Sequence, residues 1–118
     1  MSLKDQFLSL QSKLKIEPVT IEGMTEPVYV RTLTGRERDA FEASCFQQKG
    51  KNREINTENL RAKLLVRSIC DADGQRLFTD ADVNLLGNMP ADVLDTLFAK
   101  AQELSGLGTK DVEEMVGN

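Results

Sequence analysis

The fold is decided by one continuous stretch, Val28-Tyr29-Val30-Arg31-Thr32-Leu33-Thr34-Gly35-Arg36-Glu37. Its first six residues are rich in β-branched and aromatic side chains, which favour a strand. Its last four residues place a threonine three positions before a glutamate, the spacing of a capping box at a helix N-terminus. The stretch therefore predicts a strand that passes directly into a helix, which continues to about Gln48.

A second strand-like run, Val19-Thr20-Ile21, precedes this strand, and the loop between the two runs contains Gly23 and Pro27. This order predicts a β-hairpin near residues 19–33. Pro18 and Pro27 cannot donate hydrogen bonds to a neighbouring strand, so we expect them at strand starts or edges. Because an isolated two-stranded hairpin is only marginally stable in water, it must pack on helices or pair with another strand.

Apolar residues at helical spacing predict further helices in the rest of the chain. The predicted segments are residues 2–14, 57–70, 79–87, 90–104 and 110–116. The segment 57–70 has apolar side chains around most of its circumference, so we expect it to be the central buried helix. The polar and basic residues 48–54 lack periodicity and are predicted to form a mobile loop.

These elements predict a mainly helical α+β fold, a single domain over residues 1–118 with four to five helices and one hairpin. Residues 105–118 begin at the hinge-like Ser105-Gly106-Leu107-Gly108 and are expected to form a mobile C-terminal segment. Cys45 and Cys70 sit in apolar helical patterns without metal-ligand spacing, so we expect buried, reduced thiols.

The composition argues against an enzyme. The chain has no histidine and no tryptophan, which removes imidazole-dependent catalytic triads and histidine-bearing zinc sites. No apolar run approaches the ~20 residues needed to cross a bilayer, and the first residues lack the pattern of a secretion signal. We therefore expect a cytoplasmic protein without catalytic activity and without a cofactor.

Charge is unevenly distributed along the chain, whose net charge is −4. Residues 1–70 carry 12 basic and 9 acidic side chains, whereas residues 71–118 carry 3 basic and 10 acidic ones. An acidic total argues against nucleic acid as the partner, because phosphate backbones attract basic surfaces. The asymmetry is typical either of a solvated acidic helical surface or of opposite faces that favour head-to-tail self-association.

The motif Asp71-Ala72-Asp73-Gly74 superficially matches part of a calcium-binding loop. Alignment on its glycine, however, puts Ile69 at the first ligand position and Asp80 at the position of the bidentate glutamate. Isoleucine has no ligand atom, so the motif predicts a helix-terminating turn in which aspartate side chains accept bonds from nearby backbone amides. We predict no metal site in the chain.

The first predicted helix carries a narrow apolar seam of Leu3, Phe7, Leu10 and Leu14. At about 100° per residue, these positions fall within about 60° of one another. A seam of this width suits docking against one neighbouring helix, in the same chain or in another protein.

Two stretches together resemble one protein family. They are Val28-Tyr29-Val30-Arg31-Thr32-Leu33-Thr34-Gly35-Arg36-Glu37-Arg38-Asp39 and Asp71-Ala72-Asp73-Gly74-Gln75-Arg76-Leu77-Phe78-Thr79-Asp80-Ala81-Asp82. With the Leu3-Lys4-Asp5 start and the chain length, they resemble the tail assembly chaperones of lambda-like siphophages and prophages, over most of residues 1–104. The chain resembles the short, non-frameshifted form of these chaperones.

The resemblance implies a non-enzymatic chaperone of phage tail morphogenesis that acts in the host bacterial cytoplasm. Such proteins bind and solubilise the tape measure protein, help to recruit tail tube subunits and are absent from the mature virion. A longer, frameshifted form adds a domain that engages the tail tube protein. The expected partners are therefore the tape measure protein, the tail tube protein and further copies of the chain, with neither nucleic acid nor membrane.

On this interpretation, the candidate partner-binding residues lie near the two chain ends, outside the predicted central packing. They are Leu3, Phe7, Leu10, Leu14, Val112, Met115 and Val116. The residues alone leave two other function classes open, a small DNA-binding regulator with a helix pair at 57–87 and a subunit of an enzyme complex. The Asp71–Phe78 connection is longer than the three-to-four-residue turn usual in DNA-binding helix pairs.

Overall fold

The computed structural model describes residues 2–49, 52–55 and 59–105, and these residues form five α-helices and five short strands. The helices are α1 (Leu3–Leu8), α2 (Gly35–Ser44), α3 (Leu60–Ser68), α4 (Val83–Gly87) and α5 (Ala91–Ser105). The strands are β1 (Ile16–Val19), β2 (Val28–Arg31), β3 (Phe46–Lys49), β4 (Asn52–Ile55) and β5 (Ile69–Cys70). The predicted α+β, mainly α class is confirmed. None of the described helices combines the length and apolar composition that crossing a membrane requires.

The predicted hairpin forms between β1 and β2, with Ile16 opposite Arg31 and Val19 opposite Val28. The first strand starts three residues before its predicted position and ends at Val19 instead of Ile21, because the register pairs Ile16 with Arg31 at the end of β2. β5 pairs antiparallel with the other side of β2, which makes a three-stranded sheet in the order β1-β2-β5. Pro18 lies in β1, an edge strand of this sheet, where a missing N–H donor is tolerated.

α2 begins as the capping box predicts. The Glu37 amide donates to Thr34 Oγ1 over 3.2 Å, and Glu37 Oε1 accepts a hydrogen bond from the Thr34 amide over 3.0 Å. The helix ends at Ser44, before its predicted end near Gln48, and the chain turns directly into β3.

The prediction of a loop at residues 48–54 is wrong, because β3 and β4 pair there as a second antiparallel hairpin. The register places Phe46 opposite Ile55 at the base and polar residues opposite one another along the rest. Strands without apolar alternation give no periodic signal, which explains why the sequence predicted a loop.

α3 is the central helix, as predicted, and six of its nine residues are buried. α2, α4 and α5 all pack against it. The largest fully buried side chains of the core include Val30, Phe41, Leu64, Leu65 and Val66. The helix ends at Ser68 rather than at Cys70, because the last two residues of the predicted helix form β5 beside β2.

Cys45 and Cys70 are buried and free of disulfide bonds, so the expectation of buried thiols is confirmed. Burial raises the pKa of both thiols above the ordinary value. The two cysteines therefore serve as small apolar core residues.

Candidate functional site

The N-terminal segment forms an arm, defined here as residues 2–15. Its α-helix is shorter than the predicted 2–14, because the chain tightens after Leu8 into a 3₁₀ turn over Ser9–Ser12. Serine hydroxyls support this turn: Ser9 and Ser12 each donate to the carbonyl three residues before them.

The predicted apolar seam lies mostly exposed on this arm. Leu3 and Phe7 leave 83% and 70% of their surface in solvent, and Leu10 leaves 56%. Leu14, at the base of the arm, is half-buried. A contiguous set of large exposed apolar side chains is typical of an interaction surface, whereas single ones are ordinary.

The arm and the start of α2 enclose an apolar groove of about 580 Å³, named here the N-terminal groove. Its main lining residues are Phe7, Leu8, Leu10, Leu14, Leu33 and Arg36. Three of the four predicted seam residues therefore meet in one groove, whereas Leu3 lies outside its lining. Leu8 joins them although it lies off the predicted seam, because a 3₁₀ turn advances about 120° per residue instead of about 100°.

Thr32 attaches the base of the arm to the body of the protein. Its amide donates to the Lys15 carbonyl over 2.9 Å, and its Oγ1 accepts from the Lys15 amide over 3.3 Å. The same hydroxyl donates to the Leu104 carbonyl near the end of α5 over 3.3 Å. The base of the arm is thus tied to Thr32, directly after β2, and through Thr32 to α5, while α1 itself contributes no buried residue.

The surroundings of the N-terminal groove are basic. Lys4, Lys13 and Lys15 of the arm and Arg36 at the start of α2 are all exposed. Asp5 is the one acidic side chain of the arm. An apolar groove with basic surroundings suits an amphipathic segment whose polar face is acidic.

The second predicted contact cluster, Val112, Met115 and Val116, lies outside the described residues. The predicted helix at 110–116 and the C-terminal segment after Ser105 lie outside them as well. The structure therefore describes the N-terminal half of the predicted contact set.

The first motif of the resemblance forms a clasp that holds α2 against the sheet. Arg31 Nη1 and Nη2 donate to Glu37 Oε1 and Oε2 over 2.9 and 2.6 Å, and 7% of the arginine side chain is exposed. Partial burial by itself raises the pKa of Glu37, but hydrogen bonds from Arg31 and the Thr34 amide bring it below the ordinary carboxyl value. This part of the motif is structural.

The second motif begins with the turn that the sequence predicts. Asp71 Oδ1 accepts hydrogen bonds from the amides of Asp73 and Gln75 over 2.9 and 3.0 Å. Gly74 adopts a φ of +85°, a conformation that favours glycine. No group of three or more metal-ligating side chains occurs within the described part of the chain.

Arg76 then joins this turn to the central helix. Its guanidinium donates to the Val66 carbonyl of α3 and to Asp80 Oδ1, both over 2.8 Å. The hydrogen bond from Arg76 lowers the pKa of Asp80 below its ordinary value. Both motifs that carry the resemblance therefore hold elements together and lie outside the N-terminal groove, apart from the start of α2.

The basic side chains of α3 are all engaged within the protein. Arg61 pairs with Asp95 over 2.8 Å, Lys63 donates to the Ser44 carbonyl over 2.9 Å, and Arg67 is buried. A helix that reads DNA presents basic and polar side chains to solvent. The geometry of α3 therefore disfavours the DNA-binding alternative for residues 57–87.

A second apolar depression, which the sequence did not predict, shares no lining residue with the N-terminal groove. It has a volume of about 460 Å³ and lies between the β1–β2 loop, residues 77–78 and the start of α5. We name it the α5 trough. Three segments far apart in sequence line it, so no single periodic pattern reports it. The sequence signal that could have revealed the trough is a set of apolar residues in turns. They are Met24, Leu77 and Met89, and about half of the surface of each is exposed.

Comparison with known proteins gives two related findings. The family model described as phage tail assembly chaperone matches residues 2–117. Among solved structures, that of the bacteriophage HK97 tail assembly chaperone is similar, with a TM-score of 0.59 and 15% sequence identity. The similarity covers 84% of this chain and 97% of that chain, and at this identity it shows a shared fold. No curated protein sequence gives a match.

Proposed function

We propose, from the premise that the chain belongs to the phage tail assembly chaperone family, that it binds and solubilises the tape measure protein. We propose further that it helps to recruit tail tube subunits in the host bacterial cytoplasm and is absent from the mature virion. Membership in the family confirms the resemblance that the sequence predicted. A chaperone is generally non-enzymatic, which agrees with the composition.

The observation that carries this proposal is the exposed apolar face of the arm at the N-terminal groove. Phe7 and Leu10 present apolar surface to solvent on a segment whose base is held by hydrogen bonds to Thr32. A preformed apolar groove binds an amphipathic helix by accepting its apolar anchors at helical spacing. While these anchors are covered, they are withheld from aggregation, which is the action of a chaperone that keeps its client soluble.

The proposed contact residues are those of the predicted set. Within the described residues, Phe7, Leu10 and Leu14 line the groove, and Leu3 extends the apolar surface beyond it. The cluster Val112, Met115 and Val116 is proposed as a second contact. Basic side chains around the groove favour a tape measure segment with an acidic polar face.

Contact with the tail tube protein is proposed to occur mainly through a longer, frameshifted form. Association of several copies is proposed from the uneven charge, which places 10 of the 19 acidic side chains in residues 71–118. Light scattering that reports only monomer at high micromolar concentration would contradict this association.

The proposed function is tested by co-expression with the tape measure protein of the same phage or prophage, followed by pull-down on a tagged copy of this chain. Wild type is expected to recover a soluble complex that resists moderate salt. Phe7→Asp combined with Leu10→Asp is expected to abolish solubilisation, because two charges then lie in the groove, while far-UV circular dichroism stays near wild type.

A matched control places two aspartates at exposed helical positions elsewhere, Leu85→Asp in α4 and Ala99→Asp in α5. The control is expected to solubilise the tape measure protein as wild type does. Loss of the fold in the Phe7 and Leu10 variant would show that the arm belongs to the core, and equal solubilisation by both variants would remove the groove from the proposal.

A further inference from the structure

We propose that the α5 trough binds a positively charged amphipathic segment of a partner protein. This inference goes beyond the proposed function, which uses the N-terminal groove. Three properties of the trough support it. Solvent reaches its apolar floor, its surface continues into neighbouring depressions, and the charged residues around it are acidic.

The floor of the trough consists of exposed side chains that lie over buried core residues. Met24 from the β1–β2 loop, Leu77 from the turn before α4 and Met89 from the α4–α5 junction are 45–54% exposed. Beneath them, Leu94 and Leu97 of α5 are buried and belong to the hydrophobic core. Core packing therefore preforms the floor, and flexible methionine side chains above it can adapt to different apolar anchors.

The trough continues into a shallower depression on each side. One, of about 540 Å³, shares Met24, Val28 and Leu77 with it, and the other, of about 380 Å³, shares Ile21 and Val93. The three depressions therefore form one elongated surface that can hold a segment with several anchors, rather than one enclosed small molecule.

Acidic side chains alone supply the charge of this surface. Glu22, Glu26, Asp71 and Asp92 line the three depressions, and their linings contain no lysine and no arginine. Among the described residues, no ion pair involves any of these four carboxylates. Asp71 and Asp92 also accept hydrogen bonds from backbone amides, but these neutral donors leave the negative charge in place. Like-charge repulsion therefore disfavours an acidic partner.

The chemistry of the occupant follows from these two properties. Apolar anchors at helical spacing fill the floor, and lysine or arginine side chains beside them meet the acidic rim. A second copy of the chain offers a basic arm, but its exposed Phe7 and Leu10 are the contacts already proposed for the tape measure protein. The occupant proposed for the trough is therefore a different protein.

The binding test uses the full chain and a fluorescein-labelled 16-residue helical peptide of leucine and lysine, with its leucines on one face. Fluorescence anisotropy is expected to report binding that weakens as salt rises. A peptide with glutamate in place of every lysine, and a lysine peptide whose leucines are scattered around the helix, are expected to bind at least about tenfold more weakly.

Variants of the chain locate the site. Met24→Lys combined with Met89→Lys is expected to weaken binding of the lysine peptide by about tenfold or more, because both changes remove apolar floor and add like charge. The control, Leu85→Lys with Ala99→Lys, adds the same charge at exposed positions outside the trough. It is expected to weaken binding of the lysine peptide less than the trough variant does. Glu22→Gln with Glu26→Gln is expected to reduce the salt dependence of peptide binding. The control, Asp39→Asn with Glu103→Gln, removes the same charge elsewhere and is expected to leave this salt dependence unchanged.

Equal loss in the trough variants and in their matched controls would overturn the proposal, as would equal binding of the glutamate peptide. If a peptide of residues 2–15 displaces the lysine peptide, and Met24→Lys with Met89→Lys lowers the mass measured by light scattering, the occupant is a second copy. That result would overturn the assignment to a different protein. Solubilisation of the tape measure protein by the same variants separates this inference from the proposed function, which depends on Phe7 and Leu10.

Discussion

The N-terminal groove and the α5 trough are both apolar depressions, but different parts of the fold support them. The groove lies beside an arm whose helix α1 has no buried residue. The trough lies on Leu94 and Leu97, which belong to the hydrophobic core. Arg36 lines the groove and the arm beside it carries three exposed lysines, whereas Glu22 lines the trough and Glu26, Asp71 and Asp92 line the depressions that adjoin it. On the two proposals made for them, these apolar surfaces of one small domain bind partners of opposite charge.

Because core residues lie beneath the trough and not beneath the arm, mutations in the two surfaces are expected to affect folding stability differently. A side chain of the arm contacts few buried atoms, so its replacement changes binding with little effect on folding. A buried side chain beneath the trough, such as Leu94, also fills the core, so its replacement changes both binding and folding. The following predictions use stability measurements to test this distinction, beginning with the largest effect.

Leu94→Ala is expected to lower the free energy of unfolding by about 2–5 kcal/mol, because it leaves a cavity beneath the trough. Phe7→Ala, at an exposed position of the arm, is expected to change it by less than about 0.5 kcal/mol. Urea unfolding followed by circular dichroism measures both. Similar losses in the two variants would mean that the arm is part of the cooperative core, and the comparison would fail.

Glu37→Gln is expected to cost about 1–3 kcal/mol, because it removes a charged acceptor from the nearly buried guanidinium of Arg31 behind the N-terminal groove. The control is Glu42→Gln, which breaks an exposed ion pair with Arg38 and is expected to cost less than about 1 kcal/mol. Equal costs would show that burial of Arg31 does not strengthen the clasp.

The clasp also predicts a dependence on pH. Because the pKa of Glu37 is lowered by folding, its contribution is complete above the ordinary value of 4.5 and is lost as pH falls through the lowered value. The difference in unfolding free energy between wild type and Glu37→Gln should therefore shrink below pH 4.5. A difference that stays constant there would show that Glu37 contributes through its shape and not through its charge.

The smallest expected effect distinguishes two glycines with similar backbone angles. Gly74 and Gly23 have φ of +85° and +95°, so alanine at either position is expected to cost about 1–2 kcal/mol in strain. A β-carbon at Gly74 would also lie 2.9 Å from Ile16 Cδ1, whereas none would be met within 4 Å at Gly23. Thermal unfolding should give Gly74→Ala a lower melting temperature than Gly23→Ala. Equal melting temperatures would mean that Ile16 moves without cost.

Local chemistry made part of this structure predictable. The capping box at Thr34 and Glu37 and the aspartate turn at Asp71 involve residues within four positions of one another, so the sequence displays the whole interaction. The apolar seam of the arm was also visible, although the 3₁₀ turn at Ser9–Ser12 altered which side chains share the groove. The sequence therefore placed Phe7 and Leu10 on one seam, and the structure leaves both exposed.

Pairing between distant segments was not predictable in the same way. Ile69 and Cys70 look like a continuation of α3, but they form β5 because β2 offers an unpaired edge beside them. The β3–β4 hairpin joins polar residues whose pattern resembles that of a loop. Side-chain periodicity reports burial on one face and carries no information about backbone partners elsewhere in the chain.

The sequence by itself determined the mainly helical α+β class, the family resemblance, the absence of histidine chemistry and the apolar seam of the arm. Each of these follows from composition or from contacts between near neighbours in the chain. Only the tertiary structure decided that Arg31 and Arg76 are used as internal clasps and that Met24, Leu77 and Met89 meet in one trough. Leu77 and Met89 lie more than 50 positions from Met24 in the sequence, and the packing of α5 against α3 and β2 helps to bring these segments together.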